Sequence, residues 1–110
     1  MISDWYWGNG LHDADIIECK EFECLYDFKN PNAYRNYLEL TIDSNHASWD
    51  NTIKKIILYN YKIISELKTA KGIWWLEDNI RGENGKYILT IRGHNKEQFI
   101  VKFSNAEIIR

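Results

Sequence analysis

The chain has 110 residues, 45% of them hydrophobic and 27% charged, with a net charge of −2 at pH 7. That length supports one domain over residues 1–110 and excludes two independent cores. The composition, with a single proline, excludes a disordered or low-complexity chain, and no apolar run approaches the ~20 residues that span a bilayer, so no membrane role is expected.

The start, Met-Ile-Ser-Asp-Trp-Tyr-Trp, carries neither a basic nor an apolar signal region. Export by the usual signal is not expected, and a cytoplasmic location is. There follow Gly8-Asn9-Gly10, which reads as a turn, and Leu11-His12-Asp13-Ala14-Asp15-Ile16. Residues 14–28 form the expected first strand, with a bulge or bend because alternation slips between Ile16-Ile17 and Phe22. Cys19 and Cys24 are too few and too close for a disulfide framework and, on a strand, face opposite sides, so two reduced thiols are expected. With no Cys-x-x-Cys, no structural zinc site is expected.

After a loop containing Asn30-Pro31-Asn32, residues Arg35 to Asp43 alternate Leu38, Leu40, Ile42 against Tyr37, Glu39, Thr41, a half-buried strand that pairs with the first as a hairpin. The run Asp43-Ser44-Asn45-His46-Ala47-Ser48 begins like a calcium loop, but Ser48 stands where its glycine should be and Lys54 where its bidentate Glu should be, so that reading fails. Residues 52–67 admit helical spacing through Ile53, Ile56, Ile57, Ile64 and Leu67 with Asp50 as N-cap. Their isoleucine and tyrosine density favours a strand from about Ile53 to Ile63, apolar on both sides. Both faces of its sheet then need cover.

Trp74 and Trp75, adjacent on a strand, must point to opposite faces. Tyr87, Leu89, Ile91 and then Phe99, Val101, Phe103 alternate. Asn84-Gly85 favours a type I′ turn, and Arg92-Gly93-His94-Asn95-Lys96 supplies a second turn, so residues 73–103 read as a three-stranded antiparallel meander. The expected fold is mainly β (all-β or α+β): an antiparallel meander sheet of about six strands, rolled or sandwiched, with little helix.

Charge is unevenly placed. Residues 1–30 hold seven acids against two lysines, −5, and residues 81–110 hold six bases against three acids, +3. Neither stretch is dense enough for the electrostatic footprint of a nucleic-acid binder, so no nucleic-acid partner is expected. No nucleophile elbow, phosphate-cradling glycine loop or dinucleotide fingerprint appears. No catalytic residue, metal ligand or cofactor is therefore assigned.

Two features stand out. His12 with Asp13 and Asp15 could hold a metal or run acid–base chemistry, because imidazole titrates near neutrality and carboxylates orient it. The plainer use of these side chains is hydrogen bonding to the backbone leading into the first strand. His46 and His94 lie in predicted loops, and nothing in their spacing requires them to meet His12. The other feature is aromatic surplus: five Trp, seven Tyr and four Phe. Large rings fill a small β core, but Trp5, Tyr6 and Trp7 at the terminus and Trp49 in a polar loop are the ones expected to be partly exposed, where binding energy concentrates.

The Leu11-His12-Asp13-Ala14-Asp15-Ile16 run, after its aromatic and glycine-rich lead, resembles small bacterial domains in which a Leu-His-Asp-Ala/Ser-x-Ile start opens a β-rich fold. Some of these look like immunity proteins of polymorphic toxin systems, and others have no assigned function. The match covers about the first 30 residues and carries over no catalytic residue, because the role it would imply is binding. The expected function is thus a non-enzymatic protein-binding module, of immunity type, that occludes a basic or toxin-like partner through Trp5, Tyr6, Trp7, Trp49, Asp13 and Asp15. Its oligomeric state is open, a homodimer included. The alternatives are a small metal-dependent hydrolase using His12, Asp13 and Asp15, a structural domain, and a glycan binder stacking on Trp74 or Trp75.

Overall fold

A computed structural model describes residues 5–23 and 36–110 as strands, turns and loops with no helix. Among the described residues, no helix is therefore long and apolar enough to cross a membrane. Among the described residues eight strands are formed: β1 (Asp15–Glu23), β2 (Asn36–Asp43), β3 (Lys55–Tyr59), β4 (Lys62–Ile63), β5 (Trp75–Glu83), β6 (Lys86–Gly93), β7 (Gln98–Phe103) and β8 (Asn105–Ile109). They make two antiparallel four-stranded sheets, ordered β1-β2-β3-β8 and β4-β7-β6-β5. The fold is all-β, two sheets not closed into a barrel. Cys24, the 24–28 end of the expected first strand, the Asn30–Asn32 loop and Arg35 lie outside the described residues.

The sequence patterns explain the elements. Glu83 faces Lys86 across a two-residue turn in which Asn84 and Gly85 take φ of 51° and 77°, the two positive values a type I′ turn requires. The β6–β7 turn closes with Lys96 N donating to Gly93 O and Lys96 itself at φ 70°. The expected β5-β6-β7 meander follows. In β1 the register slips between Ile16 and Glu18, the bulge the broken alternation foretold, and it leaves Ile17 outside the ladder and exposed. In β2, Leu38 and Leu40 are fully buried and Ile42 nearly so.

Within the expected run, Lys55–Tyr59 and Lys62–Ile63 are strand and no part is helix, with one difference from expectation: the run is bent into β3 and β4. Asn60, at φ 54°, makes the bend, and its Nδ2 donates to Ser104 Oγ at 2.9 Å. Ser104 is the matching bend between β7 and β8, and its N–H donates to Tyr59 O at 2.9 Å. One long antiparallel ribbon thus folds over a corner and contributes a strand pair to each sheet, the device by which strands switch sheets. This corner raises the count from about six strands to eight, because two of the expected runs are each split or extended across it.

The core lies between the sheets. Leu38, Leu40, Ile56 and Leu58 from one meet Trp75, Leu89, Ile91, Phe99, Val101 and Phe103 from the other, all fully buried, each contributing roughly 1.5–3 kcal/mol of transfer free energy. The second sheet supplies the cover that one face of β3 needs. Ile57, on the opposite face, sits between Glu39 and Glu107 of the neighbouring strands and is nevertheless buried.

A second seam joins the sheets away from the corner. Trp75 N donates to Ala14 O, Asp13 N to Trp75 O, Ile16 N to Ile73 O and Gly72 N to Ile16 O, all at 2.7–3.0 Å. These bonds stitch the start of β1 to the start of β5. They set the residues just before each strand side by side.

Candidate functional site

Four chain segments meet at this seam. The first is the turn Trp7–Gly10, closed by Gly10 N donating to Trp7 O, with Gly8 at φ 64°. A Cβ on Gly10 would lie 2.8 Å from the Cβ of Asp50, so only glycine admits the loop that packs there. That second segment, residues 44–50, is held by Ser48 N donating to His12 O at 2.8 Å and Asp50 N to Gly10 O at 3.0 Å. Arg110 donates to Asp50 Oδ2 at 2.6 Å. Burial pushes the Asp50 carboxyl up, but the hydrogen bonds from Arg110 and Thr52 outweigh it and hold it below its ordinary value. The loop so anchored carries Trp49 outward, 74% exposed, its ring 6.2 Å from that of His12.

The third and fourth segments are the start of β5 and the β6–β7 turn. A bulge between Trp75 and Glu77 takes Leu76 out of the ladder, which leaves its carbonyl free to face His12 Nδ1. A carbonyl only accepts, so Nδ1 carries a proton, and in the neutral ring Nε2 then carries the lone pair. That Nε2 lies 3.6 Å from Asp13 Oδ1. His94 reaches the same oxygen from the turn, Nε2 to Oδ1 at 2.9 Å, while its backbone N–H donates to Trp74 O. Its ring lies over that of Trp74, centroids 3.9 Å apart, and 5.6 Å from His12. The result is one row of rings: Trp49, His12, His94, Trp74. Asp13 holds it at φ 73°, a left-handed conformation that Asp tolerates better than most residues.

A cleft of about 160 Å³ opens beside this row, lined by Asn9, His12, Trp49, Trp75, Leu76, Glu77 and Asp78. Beneath it, Asp78 Oδ2 accepts from the indole N–H groups of Trp7 and Trp75, each at 2.9 Å, and Oδ1 accepts from the Tyr6 hydroxyl. Burial pushes the Asp78 carboxyl up, the three donors pull it down and the Glu77 charge adds to the rise, with a net position above its ordinary value. Burial, with the Asp78 hydrogen bond and charge, raises the Tyr6 phenol as well.

The residues singled out in the sequence are therefore divided. Trp7 is buried, and Trp5 and Tyr6, half-buried, pack against the core. Trp5 sets its ring against Trp7, Tyr87 and Phe103. The expectation of an exposed N-terminal aromatic anchor is corrected for Trp7, whose indole is needed by Asp78. Trp49 is exposed as expected. Asp13 joins His12, but Asp15 does not: it faces Asp43 in the β1–β2 ladder and bridges Trp74 through the backbone. His46 lies exposed in the 44–48 loop, outside the cluster. The third member is His94, which the spacing gave no reason to place here. Trp75 is fully buried, so of the two candidate stacking platforms only Trp74 is presented to solvent. Nothing in the sequence marks Leu76, and the signal for Asp78 is an acid at an inward register position, opposite the buried Ile91.

No protein-family model, curated protein or solved structure matches this chain.

Proposed function

We propose that the protein is a non-enzymatic protein-binding module, acting in the cytoplasm, whose docking surface is the ring row and the cleft beside it. The observation that carries this reading is the exposure of Trp49 and Trp74 at the two ends of one row, 74% and 45%, with Leu76 exposed beside them. Indole rings on the surface are what interfaces use as anchors, because they offer much contact area at little entropy cost. Here the anchoring positions are fixed in advance: the loop under Trp49 is clamped by backbone bonds, and Trp74 rests on His94.

The occupant that fits is a basic protein surface. Glu77, paired with Arg92 at 3.0 Å, lines the cleft and Asp13 lies within the row, and the exposed faces of Trp49 and Trp74 suit the stacking of a lysine or arginine head group. A toxin-like protein occluded by an immunity-type partner is the form of this reading that joins it to the Leu-His-Asp-Ala resemblance. The acidic balance of residues 1–30 adds long-range attraction that speeds capture of such a partner.

The test is affinity capture from the native host, quantified by mass spectrometry, with wild type, Trp49→Ala, Trp74→Ala and Ile109→Ala as baits. The reading predicts a basic protein held at near-equal stoichiometry, lost at high salt, lost or weakened at least tenfold in both tryptophan variants, and retained by Ile109→Ala, which removes an exposed apolar residue elsewhere. Capture that is indifferent to Trp49 and Trp74 would contradict it.

A further inference from the structure

The row also contains a second kind of chemistry. His12, Asp13 and His94 each offer one ligand atom, and these atoms all lie within 4.8 Å of one another. We propose that they form a binding site for a zinc-class transition-metal dication, with His12 Nε2, His94 Nε2 and an Asp13 carboxylate oxygen as ligands and a fourth position open to solvent. This goes beyond the protein-binding reading and does not depend on it.

Three observations carry it. The spacing is close: ligands about 2.0–2.1 Å from a tetrahedral ion stand about 3.3 Å apart, the two distances to Asp13 Oδ1, 3.6 Å from His12 and 2.9 Å from His94, bracket that value, and the two imidazole nitrogens stand within 4.8 Å of each other. The His12 tautomer is right: Leu76 O fixes the proton on Nδ1, so Nε2 presents its lone pair to the centre, the arrangement in which a metal-bound histidine donates its other N–H to a backbone carbonyl. The surroundings are right: Trp74 covers one side of His94 and all three ligands are only half-buried, so an ion can enter without unfolding the site. Coordination replaces the His94 Nε2–H···Asp13 bond and leaves any proton on that ring at Nδ1. Two imidazoles and one carboxylate favour zinc, cobalt, nickel or copper over magnesium or calcium, which take oxygen-only sets. Three protein ligands leave the fourth place to water or another donor.

The experiment uses the full chain, free of any polyhistidine tag and stripped with a chelator. Cobalt(II) titration is followed by visible absorption and zinc(II) titration by calorimetry, on wild type, His12→Gln, Asp13→Asn, His94→Gln and His46→Gln, each checked for folding by circular dichroism. The proposal predicts one ion per chain, the intense visible bands of tetrahedral cobalt(II), at least tenfold weaker binding in each ligand variant that remains folded, and no change in His46→Gln. Absence of bands and of zinc heat in folded wild type overturns it. So does unchanged binding in His12→Gln, which would put the ion elsewhere. Should His94→Gln fail to fold, wild type and His12→Gln still decide the matter.

Discussion

Trp74 and Trp75 are neighbours in the chain, and they serve two sites of opposite character. Trp75 turns inward, is fully buried, and with Trp7 donates an indole N–H to Asp78, whose other oxygen accepts from Tyr6. Trp74 turns outward, is 45% exposed, and lies on His94 in the ring row. Both sites combine aromatic rings with an aspartate, and both draw on the N-terminal segment, Tyr6 and Trp7 for one and His12 and Asp13 for the other. What separates them is which side of the strand a residue falls on. In the inner site every donor is spent on one carboxylate, so the chemistry is used up in holding the fold. In the outer site the ring faces of Trp49 and Trp74 and the lone pair of His12 Nε2 are still available to a ligand.

The largest contrast should appear between the tryptophans themselves. Trp75→Ala is expected to cost about 3–5 kcal/mol, a core cavity plus a lost donor, whereas Trp74→Ala costs under about 1 kcal/mol because its ring is already half in water; urea unfolding of both variants measures the difference. Asp78→Ala should rank next, at about 3 kcal/mol, since it leaves two buried indole N–H groups without an acceptor. If Asp78→Ala is as mild as Trp74→Ala, the cage is not structural.

Asp78 also predicts a pH effect. Its carboxyl lies above its ordinary value of 3.8 in the fold, so the folded state binds the proton more tightly than the unfolded state does. The stability this contributes is fully present below 3.8 and is lost as pH rises through the folded-state value. Asp78→Asn keeps an acceptor without the charge, so unfolding free energies at about pH 4 and about pH 7 should show the variant gaining on wild type at the higher pH. A constant difference would contradict the direction of the shift. The outer site gives the small effects: beside Trp74→Ala, His12→Ala gives up one hydrogen bond to Leu76 at a cost of about 1 kcal/mol, again read from urea unfolding.

What could be read in the sequence was local. The type I′ turn at Asn84-Gly85, the meander it opens, the β1 bulge and the strand character of residues 55–59 all follow from side chains within a few positions of each other. The bend at Asn60 was not legible, because its partner is Ser104, 44 residues away. The division into two sheets was hidden for the same reason. At the site, His12 and Asp13 stand out through adjacency, and Asp15 stands with them in the sequence on that ground alone. His94, 81 residues from Asp13, needed two steps: the meander sets Gly93 opposite Trp75, which places His94 beside Trp74, but only the non-local Asp15–Trp74 bridge brings that pair to His12.

The proposed docking row should serve a ligand and not the fold. The double variant Trp49→Ala/Trp74→Ala, measured for both urea unfolding and retention of the captured partner, tests it most directly. A docking role for the row predicts an unfolding free energy within about 1 kcal/mol of wild type, as for exposed side chains, together with at least a tenfold loss of partner. A variant that loses several kcal/mol of stability, or that stays folded and keeps its partner, would contradict it.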